Sequence, residues 1–415
     1  MKEVKVGYKE TEVGVIPEDW NLVSINDMLK NSYLLEHIDG NHGELYPRNF
    51  EFINDGIPFV GANDFKGNYV NIKKCKKLSK KRSLLFRKGF LINNDILFAH
   101  NATVGSVAIF SFKGEFGVSS TTTTCYRANS NKLNYLYLFN VLKSNYFKNQ
   151  YTPVMYQSTR MQVPVLTQRK FQIPLPPTLA EQEKIATALS DTDSYIEKLE
   201  KLIEKKKYIK TGAMQELLTG KKRLPGFGKG KGTKETPVGV IPEDWEVKKL
   251  GDVLKIRHGK SQKGIESKDG LYPILATGGI IGSTDTFLYN KESVLIGRKG
   301  TIDKPQFMNT PFWTVDTLFF SEIFSGNYAK YLFYNFLLID WYSLNEASGV
   351  PSLNAKSIEK VQIPLPPTLA EQEGIATVLS NMDLEIDKLE VKLDKYKNIK
   401  QGMMQKLLTG EIRLV

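Results

Sequence analysis

The chain has 415 residues, 41% apolar and 25% charged, which suits two to four domains with packed cores and excludes disorder throughout. It holds no uncharged apolar run of about 18 residues that could cross a membrane, and its opening MKEVKVGYKE lacks the apolar stretch of a secretory signal. Cys75 and Cys125 stand outside any CxxC pair, so no disulfide framework or zinc site is expected and a reducing cytoplasm fits. The net charge of +12 is uneven: residues 1–177 carry +9 and 178–234 carry +5, while 235–361 and 362–415 carry −1 each. A basic front half points to a polyanion, nucleic acid first among them.

In chain order, ETEVGVIPEDWNLVSINDML from Glu10 opens the first half. Short β-branched and aromatic runs with Gly, Asn and Asp turns follow, as in DILFAHNATVGSVAIF, and read as strands. Asn134–Phe147 reads as a helix. Pro176 and Pro177 then stop a strand, and Thr178 with Glu181 forms a T-x-x-E capping box for a helix that meets no proline for about 40 residues, a rod of roughly 60 Å. Ile185, Leu189, Ile196, Leu199 and Ile203 mark an apolar seam that loses register at Lys206 and resumes at Met214. TGKKRLPGFGKGKGTKETP is a Gly/Lys linker. ETPVGVIPEDWEVKKLGDVL then opens a second half, with further strands, a helix over Asn327–Tyr342 and a second long helix capped by Thr368 and Glu371. Its seam is Ile375, Leu379, Met382, Ile386, Leu389 and Leu393.

The chain is therefore written twice. Gln172–Leu224 and Gln362–Leu414 match at about 35 of 53 positions, offset by 190, whereas the opening blocks are offset by 225. The frame is repeated; the inserts differ, the second being about 35 residues shorter. The fold class expected is α+β: two mixed domains separated by an antiparallel coiled coil of two long helices, with pseudo-two-fold symmetry. The bounds read as 1–172 for the first domain, 173–220 for the first frame helix, 221–234 for the linker, 235–361 for the second domain and 362–415 for the second helix.

Repeated VGVIPEDW, IPLPP…EQE and LLTG, in this order and around two variable domains, resemble the specificity subunit of type I DNA restriction–modification systems. YPILATGGIIG, VLIGRKGT and PFWTVDTLFF look like that family's target-recognition domains, as do DILFAHNATVGSVAIF and GVSSTTTT. The resemblance implies that each variable domain reads one half of a split double-stranded DNA target. The helices set the gap, about 10 base pairs or slightly more. It further implies two methyltransferase subunits and motor–nuclease subunits as partners, adenine as the modified base, and S-adenosylmethionine, ATP and magnesium on those partners rather than on this chain.

No catalytic constellation is found in the residues themselves. His37, His42, His100 and His258 fit no metal spacing, and Gly259–Ser261 lacks the preceding glycine of a phosphate-binding loop. Glu266 and Lys268 with Asp252 mimic a nuclease core only as a chance triplet. A non-catalytic DNA reader is expected; a self-contained nuclease with duplicated binding halves and a coiled-coil adaptor are the alternatives. The expected contacts begin with the basic run Asn71–Lys88, through Lys73, Lys74, Lys76, Lys77, Lys80, Lys81 and Arg82. Asn101, Thr103 and Thr122 lie on polar loop edges. Gln157, Arg160 and Gln162 carry the donor and acceptor pairs that read base edges. In the second half the candidates are Arg257, Lys260, Gln262, Lys263, Thr277, Arg298 and Lys299.

Overall fold

A computed structural model describes residues 6–12, 14–156 and 161–414. The chain forms two compact units, Met1–Leu199 with Lys392–Val415, and Glu200–Val391. Both unit boundaries fall inside the frame helices, Leu179–Leu217 and Leu369–Leu407, so the units do not follow the linear order of the repeats. An apolar seam needs a partner, and each unit finds one by pairing the start of one helix copy with the end of the other. Among the described residues no helix is long and apolar enough to cross a membrane.

In the first unit a hairpin, Tyr8–Thr11 with Gly14–Pro17, leads to strand Asn21–Ser24, which pairs antiparallel with Gln172–Leu175. A six-stranded sheet carries Leu34–Asp39, Thr123–Ala128, Ile96–Ala99 and Val107–Ile109 as consecutive neighbours. A five-stranded sheet holds the parallel pair Ile57–Val60 and Gly117–Ser119. Helices Tyr135–Lys143 and Asn145–Met155 cover the larger sheet, and Tyr137, Phe98, Phe147 and Trp20 fill the core between them.

The second unit repeats this plan with fewer strands. Its hairpin is Thr233–Thr236 with Gly239–Pro242, and Glu246–Lys249 pairs with Gln362–Leu365. Leu254–His258, Leu318–Ile323, Ser293–Gly297 and Gln306–Met308 follow one another in the order of their first-unit counterparts. Tyr272–Ala276 runs parallel to Trp313–Thr314. About half of the extra length of the first insert falls in residues 61–95, where the second unit has only 277–292. The basic run is part of that addition.

The frame helices carry charge where the seam lapses. Beyond Lys206, the ammonium groups of Lys206, Lys207 and Lys210 pair with Glu385, Glu390 and Asp383 in the second unit. In the first unit Lys400 pairs with Asp193, the same pair as Lys210–Asp383 by repeat position, and Tyr195 packs on Tyr396 at 4.5 Å between ring centroids. Rising numbers on one helix meet falling numbers on the other, so the pairing is antiparallel within each unit. Ile185, Leu189, Leu199, Ile203, Ile375, Leu379 and Ile386 are buried. Ile196, Met382, Leu389 and Leu393 are half-buried. Ile185 and Leu189, like Ile375 and Leu379, belong to the core of a globular part as well as to a helix seam.

The capping boxes differ from the sequence expectation. Thr178 Oγ1 accepts from Glu181 N at 3.2 Å, but the Glu181 carboxylate is taken by Arg413, which also forks onto Asp19 at 2.9 and 3.1 Å. Glu371 likewise goes to Arg223, which forks onto Asp244 at 2.9 and 3.2 Å. Glu181 and Glu371 are 3% and 1% exposed, and a carboxylate so desolvated needs a cation more than a local amide. Each guanidinium also covers the tryptophan of the repeated PEDW, Trp20 or Trp245. The residues read as a linker therefore start with an ion-pair anchor, Arg223, and run into the second hairpin.

Candidate nucleic-acid interface

Four backbone hydrogen bonds tie the strand ends of the first unit into one knot. Gly40 N donates to Ser120 O at 3.2 Å and Ser120 N to Val60 O at 2.8 Å; His100 N donates to Thr122 O at 3.1 Å and Val163 N to His100 O at 2.9 Å. The second unit ties its own knot with three bonds at the equivalent positions and a fourth displaced by one residue on each side, from Lys260 rather than from Gly259. Lys260 N donates to Thr314 O at 2.9 Å, Val315 N to Leu275 O at 3.0 Å, Arg298 N to Thr317 O at 2.8 Å and Leu353 N to Arg298 O at 2.9 Å. Gly40 and Gly259 allow the crossing: a Cβ there would sit 2.1 Å from Ser119 O and 2.0 Å from Val315 O. The knots share backbone geometry and share almost no side chains. A common loop scaffold bearing different polar groups is what reading two different sequences requires.

In the first unit the knot joins residues far apart in sequence. Asn101 and Gln162 form an isolated antiparallel bridge, with Gln162 and Thr103 exposed beside it. Ala102 between them takes φ +64, a tight left-handed turn that thrusts the 101–103 loop outward. Gln157 and Arg160 lie outside the described residues. Thr122 is spent internally: its Oγ1 accepts from Ala62 N at 3.0 Å and meets Ser120 Oγ at 2.8 Å, so it holds the loop rather than presenting a free hydroxyl.

In the second unit Lys299 bridges to Ser352, and Gly300 N donates to Pro351 O at 2.9 Å. Thr277 Oγ1 lies against Gly300, so the 277 turn and the 298–300 loop adjoin. Lys260 keeps an exposed ammonium while its carbonyl accepts from Trp313 Nε1 at 2.9 Å. Lys263 is exposed and Gln262 half-buried on the same loop. Arg298 donates Nη1 to Asp316 O at 3.2 Å. Arg257 stands apart from this set, its guanidinium paired with Glu322 on the next strand at 2.8 Å.

The basic run divides by partner. Lys77 pairs with Asp55, Lys80 with Glu115, Arg82 with Glu51, and Lys88 with Asp39. Lys76 sits over the Phe52 ring at 4.7 Å. Lys73, Lys74 and Lys81 are exposed, with no acidic partner among the described residues. Strand Lys76–Leu78 is no sheet edge, since it runs between Ile57–Val60 and Phe52–Ile53. Asp39 connects the run to the knot: burial pushes its carboxyl up, but bonds from Lys88 and His42 outweigh burial and hold it below the usual range.

A buried polar network beneath the first knot escaped the sequence reading. Gln168, fully buried, accepts at Oε1 from Tyr126 OH at 2.7 Å and lies 3.3 Å from His37 Nε2. Its Nε2 donates to Val163 O at 2.8 Å and to Thr124 Oγ1 at 3.0 Å, and Thr124 Oγ1 meets His100 Nδ1 at 2.9 Å. Burial pushes the His37 imidazole down to about 4 and lowers that of His100. His37 and His42 are thus no metal pair: His42 faces Asp39 at 2.6 Å, and His37 faces the interior. The signal present in sequence was a glutamine at the position where the second repeat has Ile358.

With the geometry in place, comparison with known proteins identifies the scaffold. A family model of the type I restriction modification DNA specificity domain matches residues 17–208 and again 242–397. A putative type I restriction enzyme MjaX specificity subunit from Methanocaldococcus jannaschii is 30% identical, covering 98% of this chain and 97% of that one. The MjaVIII specificity subunit of the same organism is 29% identical, covering 98% and 96%. The crystal structure of the type I restriction–modification S subunit from M. genitalium superposes with a TM-score of 0.60 at 15% identity, covering 94% of this chain and 96% of that one. A chain from work on complex assembly and conformational transition of the type I R-M system gives 0.53 at 16% identity, covering 96% and 99%. Those two structures share the α+β fold; the twice-matched family model and the relatives over full length show that the chain belongs to the type I restriction–modification DNA specificity family.

Proposed function

We propose that this chain reads a split, asymmetric DNA target, one half through each knot, and performs no chemistry itself. The observation that supports this is the pair of knots: one backbone scaffold, built twice, displaying Asn101, Thr103 and Gln162 in one unit and Lys260, Thr277, Arg298 and Lys299 in the other. Arg and Lys suit guanine O6 and N7, Asn and Gln suit adenine N6 and N7, so the two halves differ in the bases they accept. The paired frame helices set the half-site gap, on the order of one helical turn of about 10 base pairs. They also dock two methyltransferase subunits, to which motor–nuclease subunits add. S-adenosylmethionine, ATP and magnesium are held by those partners, and the complex works in the cytoplasm, where the DNA is.

Methylome sequencing of cells with and without the gene tests this reading. A two-part motif with unlike halves, lost on deletion, is expected. Methylation unchanged by deletion, or cutting and methyl transfer by the purified chain alone, would overturn it.

A further inference from the structure

We propose that Gln168 is a positioning residue for base reading by the first unit alone, its buried amide setting the loops that carry Asn101 and Gln162. This rests on the functional reading above and adds which residue sets the accuracy of one half-site.

The argument is one of donors and acceptors. The amide is oriented by its surroundings: Val163 O can only accept, so it faces Nε2, which leaves Oε1 toward the Tyr126 hydroxyl and His37 Nε2. With Nε2 donating to Thr124 Oγ1, the threonine proton is left for His100 Nδ1. One amide therefore holds both sides of the bridge outside it. Val163 follows Gln162 and is held directly through its carbonyl. His100 precedes Asn101 and is held through Thr124. Val163 N to His100 O, at 2.9 Å, closes the ring. A displaced Gln168 would therefore move Asn101 and Gln162 together.

The second unit reaches the same loop geometry without this device. Counting from the equivalent glycines, His37 corresponds to Ile256; by the sheet register Tyr126 corresponds to Ser321 and Thr124 to Phe319. Gln168 corresponds to Ile358, which is fully buried. There Leu353 and Ile358 share an apolar core, and Arg298 is held to Thr317 and Leu353 by backbone bonds, with its own side chain bonded to Asp316 O. A polar network is directional, whereas an apolar contact is not. The first unit thus depends on one amide for accuracy in a way the second does not, and the second serves as an internal control.

The test is methylome sequencing with the full complex, for wild type, Gln168→Leu, Thr124→Val and a control, Leu138→Ala. Leu138 is fully buried in the same core and bonds to none of the loop residues. Thermal unfolding of each purified chain accompanies the sequencing. Gln168→Leu is expected to lower discrimination about tenfold or more at one or more bases of one half-site, the scale of one mismatched base pair, while the other half keeps its preference. Thr124→Val, which cuts only the branch to His100, is expected to relax the same half by a smaller factor. Leu138→Ala is expected to lower the extent of methylation and leave both preferences intact. Unchanged preferences in both Gln168→Leu and Thr124→Val, equal relaxation of both halves, or the same relaxation in Leu138→Ala would overturn the proposal. Absence of any split motif with wild type would instead defeat the functional reading beneath it.

Discussion

The interiors under the two knots are built from opposite materials. The first places His37, Tyr126, Thr124, His100 and Gln168 in a hydrogen-bonded network; the second places Ile256, Phe319 and Ile358 where the first has His37, Thr124 and Gln168, and its Ser321, in the place of Tyr126, bonds to Ser293 instead. Around these unlike cores the frame is duplicated to the level of single ion pairs. Arg413 clasps Asp19 and Glu181, and Arg223 clasps Asp244 and Glu371. Sequence is repeated where the two units must have the same shape, and it diverges beneath and upon the surface proposed to meet the target.

The largest effect should come from breaking what is shared. Arg223→Met leaves Glu371 and Asp244 without their cation, and removing one partner of a buried pair costs about 3–5 kcal/mol. Arg413→Met should cost somewhat less, since its side chain is 25% exposed against 15% for Arg223. Denaturant unfolding of both variants checks this. If one clasp proved dispensable, the two units would not be mechanically equivalent.

How much of this was legible in the sequence follows the same division. The frame was readable because its signals are local and repeated: the seam, the prolines before Thr178 and Thr368, and the PEDW tryptophans. The capping boxes were misread because the true partners of Glu181 and Glu371 lie in remote segments that only the fold brings near. Among the site residues, the loops were found by their polar character, but not which groups are spent. Thr122 and Arg257 look as available in sequence as Thr103 and Arg298, and only the structure shows them bonded to Ala62 and Glu322. The Gln168 network was invisible because His37, Thr124, Tyr126 and Gln168 sit in strands or a short helix, where a lone polar residue reads as a solvent-facing one, and His100 sits just past a strand end.

An acid titration should separate the units next. His37 is held down to about 4 from 6.5 by burial first of all, while its bond to Gln168 pulls the other way. Of the charged groups near it, Arg169 and His100 lower it further and Asp39 raises it. The unfolded chain therefore takes up a proton that the folded unit refuses. Stability present above about pH 6.5 is lost as pH falls toward 4, by about 3 kcal/mol at the foot of that window. Hydrogen exchange at strand Thr123–Ala128 should accelerate over this range ahead of strand Leu318–Ile323, whose neighbour is Ile256. His37→Phe should flatten the difference; equal acceleration in both strands would show that the network does not titrate as placed.

The glycines at the crossings test whether the knots are alike in tolerance. Gly40→Ala and Gly259→Ala each push a methyl group into a backbone carbonyl, not a side chain that could swing away. Each should cost about 1–3 kcal/mol, with matching loss of binding to the cognate half-site. A large cost in one unit and none in the other would mean that the apolar core yields where the polar one cannot, or the reverse.

The smallest effect on accuracy is expected at the basic run, which only the first unit has. Lys73, Lys74 and Lys81 are exposed and bear no acidic partner among the described residues, so their charge is available to phosphates. Phosphate contacts release counterions and carry no base information. Replacing all three with Ala should lower the slope of log affinity against log salt by about 0.9 for each phosphate that is no longer neutralised. Stability should stay within about 0.5 kcal/mol, since the side chains are held by nothing. Base preference in both halves should be unchanged, unlike the result expected for Gln168→Leu. Binding measured across a salt series on cognate and random duplexes separates the outcomes: an unchanged slope removes the run from the interface. A changed base preference in the first half would instead mean that the added segment reads sequence, and that the two units differ in their manner of reading as well as in the bases they accept.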